Sequence, residues 1–206
     1  MYSKISQIRI AAFSVSSSFK FLFGALLALF QIACGGGSAG DVGVDKETNK
    51  WINNAGTYSA CDSHNKVSAT LTPTGSNQLF VSLKQEVFSQ ANCMGSQVGV
   101  LSPLTLIMTY QNTITSNVKG IGSSTTLQNL SIDTVSVSAP AQTINLTGSG
   151  VSGNCVYYLN GNICFNNLNY SAATMNAAIY VSSTVFSALT LNGLVWNADQ
   201  PNLLKQ

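Results

Sequence analysis

The sequence predicts an all-β fold, an antiparallel β-sandwich or β-barrel of about nine to eleven strands closed by two disulfides. Three observations predict it. From Trp51 onward apolar residues recur with period two, not 3.6. Clusters of Gly, Asn and Pro break these runs at intervals of roughly 8–15 residues. Four cysteines, Cys61, Cys93, Cys155 and Cys164, lie in the same region without a CxxC pair.

Gly56 to Cys61 reads as the first strand. Val67, Ala69 and Leu71 then alternate with Lys66, Ser68, Thr70 and Thr72, and Pro73 to Asn77 supplies a turn. Leu79, Val81 and Leu83 alternate again before Glu86 and Phe88, and Leu104, Leu106, Met108 and Tyr110 do so after Pro103. Further strands are expected at 127–137, 143–147, 155–159 and 163–167. Ala172 to Ala178 lacks turn residues and reads as a helical turn or a strand, whereas 179–185 and 189–196 carry strand character. No repeat of 20–50 residues is visible.

In an exported chain an even number of cysteines argues for disulfides, and four allow three connectivities. The segment Cys155 to Cys164 has the form of a hairpin around Asn160-Gly161. A two-residue turn at Asn160-Gly161 would put Cys155 out of register with Cys164. A four-residue loop, Tyr158 to Gly161, pairs Tyr157 with Asn162 and so Cys155 with Cys164, leaving Cys61 for Cys93. Chain entropy puts the two bridges at about 2.7 and 3.7 kcal/mol. A four-cysteine zinc site requires closer spacings.

Export is read from the N-terminus. Met1 to Lys20 is basic and Ser-rich, Phe21 to Ile32 is apolar, and Gln31-Ile32-Ala33 precedes Cys34. The apolar run is shorter than the ~20 residues that a membrane-spanning helix needs. Ile32, Ala33 and Cys34 resemble the lipobox of bacterial lipoproteins, with Gln31 where that motif carries Leu. The resemblance implies a signal peptide over 1–33, diacylglycerol and palmitate on Cys34, and a tether over 34–50. Gly35 after the cysteine implies, in a Gram-negative cell, the outer membrane. Gly56 to Cys61, with a cysteine some thirty residues on, is similar to small uncharacterised β-rich lipoproteins of proteobacteria, a likeness that implies no activity. Gly56-Thr57-Tyr58 is also similar to the Gly-x-Trp that opens lipocalin barrels, with Tyr58 in place of Trp.

Charge narrows the function classes. The formal +2 comes from the leader, which holds Lys4, Arg9 and Lys20; the remainder has six Lys, no Arg and seven acids. A chain near −1 without basic clusters does not suit nucleic acid. Chemistry is sparse. The lone histidine, His64, follows Asp62 and Ser63; on a strand Asp62 and His64 would share a face with no third partner for catalysis or metal. Asp62, Glu86, Asp133 and Asp199 fall in different elements, which leaves a carboxylate pair unsupported. Asp41, Asp45 and Glu47 do not match a calcium loop, and Gly120-Ile121-Gly122 and Gly148-Ser149-Gly150 lack the lysine of a phosphate loop. Tyr157, Tyr158, Tyr170 and Tyr180 with Asn160, Asn162, Asn166, Asn167 and Asn169 suggest a polar aromatic surface for sugar or peptide, or cross-strand packing.

The expectation is therefore a single β domain over 51–206 with no catalytic set, cofactor or metal site, tethered to the membrane and acting by binding or structural contact. The alternatives are a barrel that holds a small lipid or sugar, and a hydrolase with an unrecognised site.

Overall fold

The computed structural model describes residues 49–122, 124–198 and 202–206. Residues 1–48, which hold the leader, Cys34 and the tether up to Thr48 with Asp41, Asp45 and Glu47, lie outside them, as does Asp199. The described chain is strand throughout apart from turns and one 3-10 turn at Ile52–Asn54. Five strands lead off: β1 (Gly56–Asp62), β2 (Asn65–Thr74), β3 (Gln78–Gln90), β4 (Met94–Lys119) and β5 (Gln128–Ala139). An excursion of short pieces follows, β6 (Gln142–Thr143), β7 (Leu146–Thr147), β8 (Val151–Ser152), β9 (Cys155–Tyr158), β10 (Gly161–Cys164) and β11 (Asn169–Tyr170). The chain returns through β12 (Ala173–Val181), β13 (Val185–Asn192), β14 (Val195–Ala198) and β15 (Leu203–Lys205).

Eight of these strands pair antiparallel in a ring, β1–β2–β3–β4–β5–β12–β13–β15, and β15 pairs back onto β1. The sheet closes on itself, so of the two expected architectures the chain adopts the barrel. Closure removes the long exposed edges that an open sheet would present.

Period-two alternation fills the ring. Tyr58, Leu79, Val81, Val87 and Val135 are wholly shielded from solvent and belong to one apolar cluster with Leu71, Leu104, Leu106, Met108, Ile179 and Phe186. A void wide enough for water would leave exposed area on these side chains, so the interior is packed by the protein itself, as eight strands permit. Both ends are stoppered. At one, Asn49 to Asn54 crosses the opening and sets Trp51 into the core. At the other, the β9–β10 hairpin contributes Val156 and Ile163, and Phe165 follows them into the same cluster.

A second core lies on the other face of the wall. Between Tyr110↔Val135 and Asn112↔Thr134 the β4–β5 register shifts by one residue, a bulge at Gln111. Because side chains alternate faces, this shift turns the even-numbered stripe of β4 inside out. Leu104, Leu106 and Met108 join the main core, whereas Ile114 and Val118 join Ile132, Ala178, Val185, Leu189 and Ala198. Strand β14 covers this cluster by pairing antiparallel with β13 and parallel with the end of β4. Pro103 falls at another register shift, between Leu101 and Leu104, where the ladder does not need its missing N–H.

Several sequence expectations change. Residues 172–178 form no helical turn: Met175, Ala177 and Ile179 alternate inward on β12, paired along β5, so tertiary pairing settles a locally ambiguous run. The run 143–147 splits because Gln142–Thr143 pairs with β11 and Leu146–Thr147 with β4. The strand expected at 163–167 begins at Gly161 and ends at Cys164. Both disulfides form as expected, with Cys155 opposite Cys164 and Tyr157 opposite Asn162. The hairpin loop is nevertheless two residues, Leu159-Asn160, because Tyr158 and Gly161 also pair. Ladder pairing thus continues to the tip, and the turn is centred one residue earlier than the Asn-Gly signal suggests.

The hairpin stopper depends on Gly99. A Cβ placed there would lie 2.6 Å from both γ-methyls of Val156. Gly99→Ala is therefore expected to lower unfolding free energy by about 1–3 kcal/mol through overpacking, and Val156→Ala to restore much of it in the double variant. Urea denaturation of the four proteins measures both effects; additive losses would refute the contact.

Candidate functional site

The two ends of the barrel differ in chemistry. Where the chain enters, Asn49 donates through its side-chain amide to the carbonyl of Gln78 at 2.7 Å and that of Gly75 at 3.1 Å, which ties the entering segment to the β2–β3 turn. Its Oδ1 accepts from the Trp51 amide at 2.9 Å. The indole N–H of Trp51 donates to Asp133 at 2.9 Å, the Thr113 hydroxyl donates to the other oxygen at 2.7 Å, and Lys50 forms an ion pair with the same carboxylate. Lys50 Nζ also stands 4.2 Å from the centre of the Tyr110 ring. Asp133 is buried, yet all its charge is answered by three donors. The arrangement is a latch: it has no unsatisfied group left to offer a substrate. The tether expected over 34–50 therefore stops short of Asn49 and Lys50, which belong to the fold.

Tyr58 reinforces the same end. Its hydroxyl lies 2.8 Å from the Asn54 carbonyl and 2.9 Å from that of Ser182, joining the 3-10 turn to the β12–β13 turn. Burial pushes its phenol pKa up, and burial does the same to Tyr170.

The opposite end carries both disulfides. Cys61 at the end of β1 is bridged to Cys93 beyond β3, and the Cys93 amide donates to the Ser63 carbonyl at 3.1 Å. Among the described residues, the non-glycine positions with positive φ are Ser63, Asn92 and Cys93, all in these two bridged turns. His64 sits in the β1–β2 turn and so shares no strand face with Asp62, because Ser63 adopts the left-handed conformation that ends β1. Its Nδ1 is 2.9 Å from the Phe88 carbonyl, and its ring stacks on Tyr158 at 4.0 Å. His64 thus seals the hairpin stopper against the barrel. Beyond that seal the stapled hairpin projects Leu159, 86% exposed, with Tyr157 and Met94 also exposed. A groove of about 980 Å³ beside the first disulfide is lined by Ser59, Ala60, Cys61, Phe88 and Leu204 among others.

The remaining sequence candidates stay apart. Asp62 is exposed at the end of β1, Glu86 on β3 is bound by Lys84 and Gln97 at 2.9 Å each, and Asp133 is in the latch. Tyr157 and Tyr158 share the hairpin, but Tyr170 packs on the main core and Tyr180 on the second, so the expected polar aromatic surface is dispersed by packing. Among the described residues no three of His, Cys, Asp and Glu gather as metal ligands. The latch was missed at the sequence level, although a signal existed: Asp133 is the only charged residue in 120–198, and a lone charge between apolar neighbours marks a satisfied buried group. No protein-family model, curated protein or solved structure matches the chain.

Two outcomes follow from the entry end. Asp133→Ala is expected to cost about 3 kcal/mol and Trp51→Phe about 1 kcal/mol, with the double variant losing clearly less than the sum because both remove one interaction. Chemical denaturation tests this. Because burial raises the Tyr58 pKa above its unfolded value of about 10, its contribution is intact below pH about 10 and is lost as pH climbs through the folded value. Alkaline melts should show that loss, and Tyr58→Phe should flatten it.

Proposed function

We propose that the chain is a lipid-anchored protein of the bacterial cell envelope, held in the outer membrane through Cys34, that works by contact and not by catalysis. The sequence supports the anchor: an apolar run ending at Ile32-Ala33-Cys34, then Gly35-Gly36-Gly37-Ser38. The observation that carries the contact role is the polarity of the barrel. The segment descending from Cys34 enters at the Asn49 latch, while the stapled hairpin with Leu159 and Tyr157 stands at the far end. A strand of 13 residues such as β3, tilted as barrel strands are, separates the ends by about 30 Å.

Two features favour contact over a held ligand. Among the described residues the interior is filled by buried side chains such as Tyr58, Leu79 and Val135, which speaks against a lipid or sugar held there. The projecting residues are fixed by a disulfide and by the His64–Tyr158 stack, so little side-chain or loop entropy is lost when a partner binds. Residues 134–198 contain no Asp, Glu, Lys or Arg, so the partner surface that fits the hairpin itself is uncharged, amide- and hydroxyl-rich envelope protein.

Membrane fractionation with labelled palmitate tests the anchor. Cys34→Ala should lose the label and leave the membrane fraction; retention of both would refute lipidation. Contact is tested by crosslinking in envelopes. Leu159→Asp, at a fully solvated tip, should leave the melting temperature within about 2 °C while reducing partner crosslinks at least tenfold. An unchanged crosslink pattern would remove the hairpin from the contact surface.

A further inference from the structure

We infer that the Cys61–Cys93 disulfide is a site of thiol–disulfide exchange, which an external thiol reaches through the groove beside it. Three observations meet there. The first is access: both cysteines line the groove of about 980 Å³, and Cys61 is exposed. That volume lies in the range of sites that hold small molecules, so a thiol the size of a short peptide fits. Ala60, Phe88 and Leu204 give the groove its apolar wall, and Ser59, Lys66 and Gln206 line it with polar groups.

The second observation is a cation beside one of the two sulfurs. Lys66 stands directly opposite Cys61 across the β1–β2 ladder, and residues so paired share a face of the sheet. Glu86, paired with Lys66 on its other side, is held by Lys84 and Gln97. Asp62, next to Cys61 in the chain, points to the opposite face. An ammonium group beside a sulfur stabilises it as thiolate, and the better-stabilised thiolate is the better leaving group. The sulfur under attack is therefore that of Cys93, and Cys61 is the one that leaves.

The third is the backbone. Ser63, Asn92 and Cys93, with φ of 55°, 58° and 55°, lie in the two turns that the bridge joins. Residues with a Cβ are disfavoured at these angles, so cutting the bridge lets both turns relax, and closing it imposes the conformation again. The other bridge lacks the second and third features. Cys155 and Cys164 face each other in a ladder of four residue pairs, which keeps their sulfurs opposed after cleavage, and neither β9 nor β10 carries a Lys or Arg.

In the exchange, the external thiolate attacks the Cys93 sulfur. The S–S bond breaks with its electron pair going to Cys61, and a mixed disulfide forms at Cys93. A second external thiolate then attacks the first one's sulfur and releases Cys93 as a thiolate. Two electrons pass to the protein, its two thiolates take protons from solvent, and two external thiols become one disulfide. His64 follows Ser63 and stacks on Tyr158, so the freed turn loosens the hairpin as well. Only that last consequence rests on the contact role proposed above; the exchange depends neither on it nor on Cys34.

The test uses the intact oxidised protein, with glutathione as the probe. Samples from a time course under native conditions are quenched with acid, alkylated and mapped by peptide mass. Cys61 and Cys93 should be modified about tenfold faster than Cys155 and Cys164, and the first glutathione adduct should be on Cys93. Lys66→Met should keep the melting temperature within about 2 °C yet slow the modification about threefold, and Lys66→Arg should restore it. Equal rates at the two bridges, which global unfolding would give, or faster loss of Cys155–Cys164 would overturn the proposal. So would a first adduct on Cys61, or a Lys66→Met protein that reacts as fast as the parent.

Discussion

A closed barrel of eight strands has to dispose of its two open ends, and here one carboxylate fixes how the first is disposed of. Asp133 is the charge that the wall turns inward, and it is tolerable there because Trp51, Thr113 and Lys50 meet it from two separate parts of the chain. An ionised group buried with fewer partners would destabilise the core by several kcal/mol. Satisfying it therefore requires the segment before β1 to lie across the mouth. Trp51 enters the core as a consequence, and Asn49 is brought over the β2–β3 turn. The electrostatic requirement and the stopper are one arrangement.

The single extra residue at Gln111 has an effect of similar reach. Without it, the stripe Leu104, Leu106, Met108, Tyr110 and Ile114 would face one core along the whole of β4. With it, the strand serves the barrel over its first half and the outer cluster over its second. Tyr110 and Thr113 consequently come together on one side of the shift, their hydroxyls 3.0 Å apart, beside Asp133. The bulge thus builds the second core and completes the latch at the same place.

Much of this was legible in the sequence where chemistry is local. Alternation at 67–71, 79–83 and 104–108 located strands, and the hairpin register that sets Cys155 opposite Cys164 followed from the disulfide alone. What was hidden depends on non-local pairing. A bulge adds no residue type that marks it, so the face switch at Gln111 left no trace in the hydrophobic pattern. Ala173 to Ala178 is rich in small residues that suit helix or strand, and only β5 beside it decides. The turn that holds His64 was not legible, because the left-handed φ at Ser63 makes it tighter than the residues announce. Asp133 was visible as an isolated charge, but its partners Lys50 and Trp51 stand more than eighty residues away in sequence.

The two ends of the barrel answer different physical demands, and this asymmetry bears on orientation. At most about 3.5 Å per residue, the fifteen steps from Cys34 to Asn49 span no more than about 50 Å. Under the proposed anchoring, the entry end is confined to that distance from the membrane surface. The far end can face away from the bilayer, about 30 Å beyond it, only if pull from the anchor reaches a point that resists it. Asn49 provides that point: its four side-chain bonds, to the carbonyls of Thr74, Gly75 and Gln78 and from the Trp51 amide, pass the load into β2 and β3, the longest uninterrupted ladder of the barrel. Rigidity at the other end has a separate source, since there both disulfides and the His64–Tyr158 stack hold the turns. A surface meant to be met by another molecule gains from such fixation, because its ordering entropy is lost once, during folding, and not again in each encounter.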